Sequence, residues 1–223
     1  MSITTLVLGE SGSGKSTSIS TLDPKETFII NVLDKPLPFK GYLKNYTPSK
    51  NKCSEGNYIA TDKYNHILEA IKLVNTTRPD IKNIVLDDWI YMLTNEYMTR
   101  ADEKSYQKFV ELAQHAHSVI RSLSECRADL FCFVLTHSEL DANNKYKCKT
   151  IGKMLDEKIN IEGMFTVVLY ALAGNEGYKF LTQNDGVHIS KSPRGMFKDR
   201  YIDNNLQKVI DAMKEYYNED VNQ

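Results

Sequence analysis

The segment that most constrains the fold is a glycine- and serine-rich stretch near the start of the chain. Its sequence, GESGSGKS at residues 9–16, matches the pattern G-x-x-x-x-G-K-[ST] at every fixed position. An aliphatic run at residues 3–8 predicts a buried strand before it, and residues 15–22 predict a helix after it. This order predicts a phosphate-binding loop (P-loop). A Gly/Ser turn that binds nothing is the alternative.

The residue types of this loop suit a nucleoside triphosphate with magnesium, and the expected ligands are ATP and Mg²⁺. Glycines let the backbone approach phosphate oxygens and direct N–H groups inward, and the start of a helix adds a favourable dipole. We expect Lys15 to reach the β- and γ-phosphates and the Ser16 hydroxyl to bind Mg²⁺. The residues expected to bind the nucleotide are Gly9, Glu10, Ser11, Gly12, Ser13, Gly14, Lys15, Ser16 and Thr17.

Acidic residues follow two predicted strands and are candidates for the magnesium ligand and the catalytic base. Asp87 ends the strand at residues 83–87 and is expected to reach Mg²⁺ through water. Asp88 either orients or deprotonates the attacking water or serves as a helix N-cap or turn residue. Asp34, after the strand at residues 28–33, is a second candidate base. The residues alone leave the choice between Asp34 and Asp88 open.

Strands alternate with helices along the chain, which predicts a three-layer α/β fold with a mostly parallel central sheet. Turn signals near residues 175–177 and 184–186 add a small antiparallel meander at the sheet edge. We expect one domain over residues 1–223. The predicted strands are residues 3–8, 28–33, 83–87, 129–136, 165–173 and 178–182, and the predicted helices are residues 15–22, 63–75, 105–127, 151–161 and 206–217. Residues 34–57 and 138–150 are predicted to be irregular.

Composition indicates where the protein functions. The net charge is −1, so the chain as a whole is not a polycation, and none of the four cysteines lies in a CxxC pair. No signal peptide or membrane-spanning stretch is predicted. We therefore expect a cytoplasmic protein with no membrane partner, located in the host cytoplasm if a phage encodes it.

Four segments together resemble the phage RecA-like P-loop ATPases, the minimal RecA-core proteins that include Sak-type single-strand annealing proteins. They are GESGSGKS, IVLDD, FVLTHSE, and ISKSPRGMF followed by YIDNNL. The resemblance implies a RecA-like core with strand order 5-1-4-3-2, and ATP hydrolysis in phage DNA recombination. It also implies a homo-oligomer with nucleotide between subunits, and single-stranded DNA and a single-strand binding protein as partners.

The resemblance also assigns roles to residues outside the P-loop. Thr136 and His137, which end the fourth predicted strand, would face the γ-phosphate or would be ordinary core or surface residues. Lys191 and Arg194 would reach a neighbour's γ-phosphate or would be solvated edge-strand charges. This chain has Lys-Ser-Pro-Arg where related motors often have Lys-x-Arg. The residues expected to contact DNA, unless their loop is simply solvated, are Lys145, Tyr146, Lys147 and Lys149.

Two other functions are compatible with a P-loop in a chain of this size. One is a kinase that phosphorylates a nucleotide or small metabolite, although the Arg-rich lid cluster that such kinases usually carry is absent from the sequence. The other is a nucleotide-dependent binding module with little turnover. Product analysis separates these functions from an ATPase.

Overall fold

Short aliphatic runs form the central strands of an eight-stranded sheet. The structure, a computed structural model, describes residues 2–50, 53–151, 159–175 and 177–219. Strands β1, β2, β4 and β5 are buried along almost their whole length, as expected for strands covered on both faces. The strands are β1 (Ile3–Leu8), β2 (Thr27–Asn31), β3 (Tyr58–Ala60), β4 (Asn83–Asp87), β5 (Phe131–Leu135), β6 (Ser138–Leu140), β7 (Tyr146–Cys148), β8 (Val167–Gly174), β9 (Gly177–Leu181) and β10 (Tyr201–Asp203).

The strand order in the large sheet is β10-β9-β8-β1-β5-β4-β2-β3, and β6 and β7 form a separate hairpin. Numbered by the five main predicted strands, this order contains 5-1-4-3-2 and confirms that prediction. Strands β8 to β3 are parallel, while β8, β9 and β10 form the predicted antiparallel meander. Since the carboxyl ends of parallel strands lie at one edge, the segments after β1, β2, β4 and β5 meet there.

Helices cover both faces of the sheet and produce three layers. Side chains alternate along β1, so Leu6 and Leu8 face one core while Val7 faces the other. The first core includes α2, α3 and α4, and the second includes α5. The helices are α1 (Tyr42–Asn45), α2 (Tyr64–Thr77), α3 (Ile90–Thr99), α4 (Gln107–Ser124) and α5 (Leu206–Glu219), with 3-10 turns at Ser16–Thr21 and Glu162–Met164. Within the described residues, no helix has both the length and the apolar content needed to cross a membrane.

The segment after the P-loop is a 3-10 helix over Ser16–Thr21, not the α-helix predicted for residues 15–22. Its hydroxyl groups donate to carbonyl oxygens three residues earlier: Ser18 to Lys15 at 2.5 Å and Ser20 to Thr17 at 2.7 Å. These bonds occupy carbonyls that an α-helix would use, and Ser and Thr are weak α-helix formers. The Ser- and Thr-rich segment therefore adopts a 3-10 helix, which is wound more tightly than an α-helix.

Strand β2 ends at Asn31, two residues before the predicted end at Leu33. The Asn31 side chain accepts from the Leu33 N–H at 3.2 Å and donates to the Lys35 carbonyl at 2.8 Å. Such side-chain bonds imitate a backbone turn. The chain therefore turns before Asp34, whose φ of 53° is left-handed, and this turn decides which side chain enters the site.

Several short elements were not predicted. Helix α1 and strand β3 lie in or beside the segment expected to be irregular, and the hairpin β6–β7 replaces the expected loop at residues 138–150. Helix α3 begins directly after β4. Apart from α3, which has ten residues, these elements have three or four residues and give no periodic signal. The predicted helix at residues 151–161 falls mostly on residues 152–158, outside the described residues, as does residue 176 of one predicted turn.

Candidate functional site

The P-loop connects β1 to the 3-10 helix and surrounds the Lys15 ammonium. Lys15 Nζ donates to the carbonyls of Gly9 at 2.8 Å and Glu10 at 2.7 Å. Burial lowers the pKa of Lys15 to about 8, although the charges of Asp88 and Asp87 oppose this shift. The Ser13 hydroxyl is buried and has no hydrogen-bond partner among the described residues. A bound phosphate would give both groups an acceptor, so the loop fits an anion.

Gly14 is required by both the backbone and its surroundings. Its φ of 91° is left-handed, and a Cβ atom at this position would lie 2.6 Å from Cγ of Tyr178. Because L-residues with a side chain rarely adopt this conformation, only glycine fits here without strain. The Tyr178 ring therefore packs directly on the phosphate-binding loop.

A cavity of about 220 Å³ opens beside the P-loop. It brings together residues from the ends of β1, β2, β4 and β5 and from the start of β9. The lining residues are Ser11, Gly12, Ser13, Gly14, Lys15, Ser16, Thr17, Lys35, Pro38, Asp88, His137 and Tyr178. Three of them, Lys35, Pro38 and Tyr178, belong to no motif in the sequence. Lys35 and Pro38 reach the site because they follow β2, and Tyr178 reaches it because it lies near the start of β9.

Ser16 and Asp87 form the pair of oxygen groups expected to hold magnesium. Ser16 Oγ donates to Asp87 Oδ1 at 2.9 Å. Burial, followed by the neighbouring Asp88 charge, raises the pKa of the Asp87 carboxyl to about 7. Mg²⁺ prefers hard oxygen ligands and is usually held through one or two protein groups and water. The pair therefore fits Mg²⁺, whose charge would favour the ionised form of Asp87.

Asp88 is buried between two basic side chains. Lys35 Nζ lies 2.5 Å from its Oδ2, and His137 Nε2 lies 3.4 Å from its Oδ1. Burial alone would raise the pKa of Asp88, but the hydrogen bonds from His137 and Lys35 outweigh it and hold the pKa below its usual value. Asp88 has a left-handed φ of 61°, and its side chain does not cap α3, whose N-cap is Trp89. The carboxylate thus faces the cavity as an anion.

Asp34 lies apart from this cavity. The Tyr58 hydroxyl donates to Asp34 Oδ1 at 3.2 Å, and Asp34 is exposed. Burial, with the Asp34 charge, raises the pKa of Tyr58 to about 12. The early end of β2 is the cause, because the turn at Asn31 directs Lys35 into the site and Asp34 toward β3.

The two polar residues after β5 have different surroundings. Thr136 is fully buried, and its hydroxyl finds no hydrogen-bond partner in the described part of the chain. His137 lines the cavity beside Asp88, and Tyr91 packs against it edge-on at 5.7 Å. Of the pair, His137 is therefore placed to contact a phosphate group.

Lys191 and Arg194 lie outside the cavity of their own chain. Both are exposed in the connection between β9 and β10, rather than on a hairpin strand. The backbones of Lys191 and Val168 form two hydrogen bonds. Lys191 N lies 2.9 Å from Val168 O, and Val168 N lies 2.8 Å from Lys191 O. Val168 is the register partner of Leu6, and Leu6 lies two residues before the end of β1. Neither cation is therefore among the described side chains that line the cavity.

The predicted DNA-binding loop is the hairpin β6–β7, and its tyrosine is already engaged. The Tyr146 ring stacks on His188 with centroids 5.0 Å apart, and its hydroxyl donates to Glu10 Oε1 at 3.2 Å. Lys147 Nζ lies 3.3 Å from Glu139 Oε1. A base would have to displace His188 to stack on that face of Tyr146. The contact with Glu10 connects this hairpin to the P-loop.

The match to a protein family agrees with this geometry. The AAA domain family matches residues 1–201. The genome packaging NTPase B204 of Sulfolobus turreted icosahedral virus 2, solved in complex with ATP-gammaS, is similar at a TM-score of 0.40, with 11% identity over 76% of this chain and 74% of that chain. No curated protein sequence matches. With a P-loop, an acidic strand end and a parallel sheet in one arrangement, the chain belongs to the AAA domain family of P-loop NTPases.

Proposed function

We propose that the protein binds ATP with Mg²⁺ and hydrolyses it to ADP and phosphate. One observation carries the proposal: the anionic Asp88 carboxylate opens onto the same cavity as the P-loop and Lys15. A P-loop by itself indicates only that a triphosphate binds. A carboxylate beside the terminal phosphate position adds a group that can orient water and accept its proton.

Each side chain has a defined task in this proposal. Lys15 leaves the carbonyls of Gly9 and Glu10 and donates to the β- and γ-phosphates. Ser16 and Asp87 hold Mg²⁺, which neutralises charge on the phosphates when bound. Asp88 accepts a proton from the water whose oxygen attacks the γ-phosphorus, and the bond to the ADP oxygen breaks.

The biological role that we propose is phage DNA recombination or single-strand annealing, in a homo-oligomer that works on single-stranded DNA or with its binding protein. Four sequence segments that resemble those of phage RecA-like P-loop ATPases support this role. A second support is the hairpin β6–β7, which carries Lys145 and Lys147 and touches the P-loop through Tyr146 and Glu10. A nucleotide that moves Glu10 would move this hairpin, and the lysines on it are suitable for phosphate contacts.

A nucleotide-dependent binding module with little turnover is the second candidate. The contact between Lys35 and Asp88 at 2.5 Å favours it, because a carboxylate paired with an ammonium is a weaker base. Hydrolysis requires that nucleotide binding draws Lys35 from Asp88 toward the phosphates.

The test measures ADP and phosphate release from ATP with Mg²⁺ or with a chelator, with and without single-stranded DNA. The Lys15→Ala variant is the control for contaminating activity. We expect turnover that needs both Mg²⁺ and Lys15. Turnover equal to that of Lys15→Ala, with ATP binding retained, would establish the binding module instead. A phosphorylated acceptor in place of free phosphate would establish a kinase. Mass measurement with a non-hydrolysable nucleotide tests oligomer formation.

A further inference from the structure

The aromatic ring of Tyr178 is part of the cavity wall, at the start of β9. It packs on Gly14 and is 44% exposed, so one part of the ring covers the P-loop and another faces open space. No hydrogen bond holds its hydroxyl among the described residues. A large aromatic ring that is exposed on a cavity wall can pack against an apolar surface of a bound ligand.

The sheet order determines which end of a nucleotide Tyr178 can meet. The candidate catalytic groups Lys35, Asp88 and His137 follow β2, β4 and β5, which all lie on one side of β1. Tyr178 is the second residue of β9, which lies two strands from β1 on the other side. The γ-phosphate must lie beside the catalytic groups, so the nucleoside leaves the P-loop on the side of β8 and β9. Two strand spacings separate the backbones of β1 and β9 by about 10 Å, and the Tyr178 ring fills this space up to Gly14.

The remainder of the cavity lining offers no equivalent surface. The P-loop contributes backbone N–H groups and hydroxyls, which suit phosphates. Pro38 follows β2 and therefore lies on the side of the catalytic groups. The His137 ring is occupied by Asp88 and Tyr91.

We propose that Tyr178 forms the nucleoside subsite, with its ring stacked on the base of the bound triphosphate. Purines expose a larger ring face than pyrimidines and are the preferred class. The inference rests on the proposed ATP binding, and it adds the residue that makes the site select a nucleotide over inorganic polyphosphate. It also explains why Gly14 cannot carry a side chain, since the ring needs the space above the loop.

The experiment compares equilibrium affinities for ATP and for inorganic tripolyphosphate, which has no base, both with Mg²⁺. The variants are Tyr178→Ala, Tyr178→Phe, and Tyr201→Ala as the matched control. Tyr201 is a tyrosine of similar exposure, 48%, on β10 of the same sheet. Stacking contributes about 1–3 kcal/mol per base, so we expect Tyr178→Ala to weaken ATP binding about 5- to 150-fold. Tripolyphosphate affinity should stay unchanged, and Tyr178→Phe should bind ATP like the wild type.

Each other outcome has a definite meaning. Equal weakening of ATP and tripolyphosphate would overturn the inference, because Tyr178 would then only support the loop at Gly14. Unchanged ATP affinity in Tyr178→Ala would also overturn it. Wild-type protein that binds neither ligand would instead refute the proposed function. With CTP measured beside ATP, a purine preference that disappears in Tyr178→Ala would support the subsite.

Discussion

At the residue scale, Asp88 and Asp34 differ in their neighbours rather than in their type. Asp88 is buried with Lys35 at 2.5 Å and His137 at 3.4 Å, and it lines the nucleotide cavity. Asp34 is exposed and accepts from Tyr58. A general base must lie within reach of the proton that it removes, and of these two aspartates Asp88 is the one that lies on the cavity beside the P-loop.

Replacing each aspartate by asparagine tests this difference at nearly constant volume. We expect Asp88→Asn to lower kcat by about 100-fold or more while ATP binding is retained. Asp34→Asn should keep the wild-type rate, since its partner Tyr58 belongs to β3. Steady-state ATPase rates and nucleotide titrations measure both effects. A slow Asp34→Asn protein with a fast Asp88→Asn protein would reverse the assignment.

At the element scale, the hairpin β6–β7 is held against the rest of the protein by the turn at residues 185–188. Asp185 Oδ2 lies 2.8 Å from His188 Nδ1, and His188 stacks on Tyr146. Burial tends to raise the pKa of Asp185, but hydrogen bonds from the His188 backbone and ring and from the Val187 N–H dominate and lower it to about 2. The ionised carboxylate therefore keeps the His188 ring in place for the hairpin.

This pKa predicts a stability effect that depends on pH. An acid with a lowered folded pKa stabilises the fold above its ordinary pKa of about 4, and the effect is lost as the pH falls toward the folded value. We expect Asp185→Asn to lower the free energy of unfolding at pH 7 by about 1–2 kcal/mol, a value reduced for surface screening. The difference should shrink at pH 3. Urea unfolding measures it, with the exposed Asp211→Asn as control. A gap that is constant from pH 7 to pH 3 would contradict the expectation.

The lysines of the same hairpin predict how single-stranded DNA binding depends on salt. Replacing Lys145, Lys147 and Lys149 by glutamine should weaken binding and reduce the slope of log affinity against log salt by about 2. Tyr146→Phe should change the affinity little, because it keeps the ring that stacks on His188 and removes no positive charge. Fluorescence anisotropy over a salt series measures these quantities. A control triple variant at the exposed Lys40, Lys44 and Lys72 should bind like the wild type; if it lost as much affinity, the hairpin would not be the DNA contact.

At the scale of the whole molecule, the nucleotide cavity is open and contains no arginine among its described lining residues. Lys191 and Arg194 are exposed in the connection between β9 and β10 and do not line the cavity of their own chain. A cation that reaches the γ-phosphate of a neighbour would stabilise charge in the transition state. The assembly would then complete a site that one chain leaves unfinished.

Mixing two inactive variants tests this assembly. Arg194→Ala subunits keep an intact P-loop, and Lys15→Ala subunits keep Arg194. If Arg194 acts in a neighbouring subunit, a mixture of the two should recover part of the ATPase activity that each lacks. Rates across a series of mixing ratios provide the measurement. Absence of recovery at every ratio, in mixtures shown to co-assemble, would count against the role of Arg194.

Local patterns determined the phosphate-binding part of the protein. The P-loop motif specifies its own conformation, because its glycines permit the left-handed turns and its neighbours provide a strand and a helical start. The aliphatic runs defined the buried central strands, and the alternation of strands with helices indicated a mostly parallel sheet. These signals are contained within short segments, so local sequence was sufficient for the P-loop and the central strands, while the strand order 5-1-4-3-2 came from the resemblance to RecA-like ATPases.

Only the tertiary structure decided which side chains share the cavity. Asp34 and Lys35 are adjacent in sequence, and the side-chain bonds of Asn31 direct one toward Tyr58 and the other toward Asp88. Tyr178 follows Gly14 by more than 160 residues and meets it because β9 is placed beside β8. Such contacts depend on where strands end and on which edges pair, and these are long-range packing outcomes that no local pattern of residues encodes.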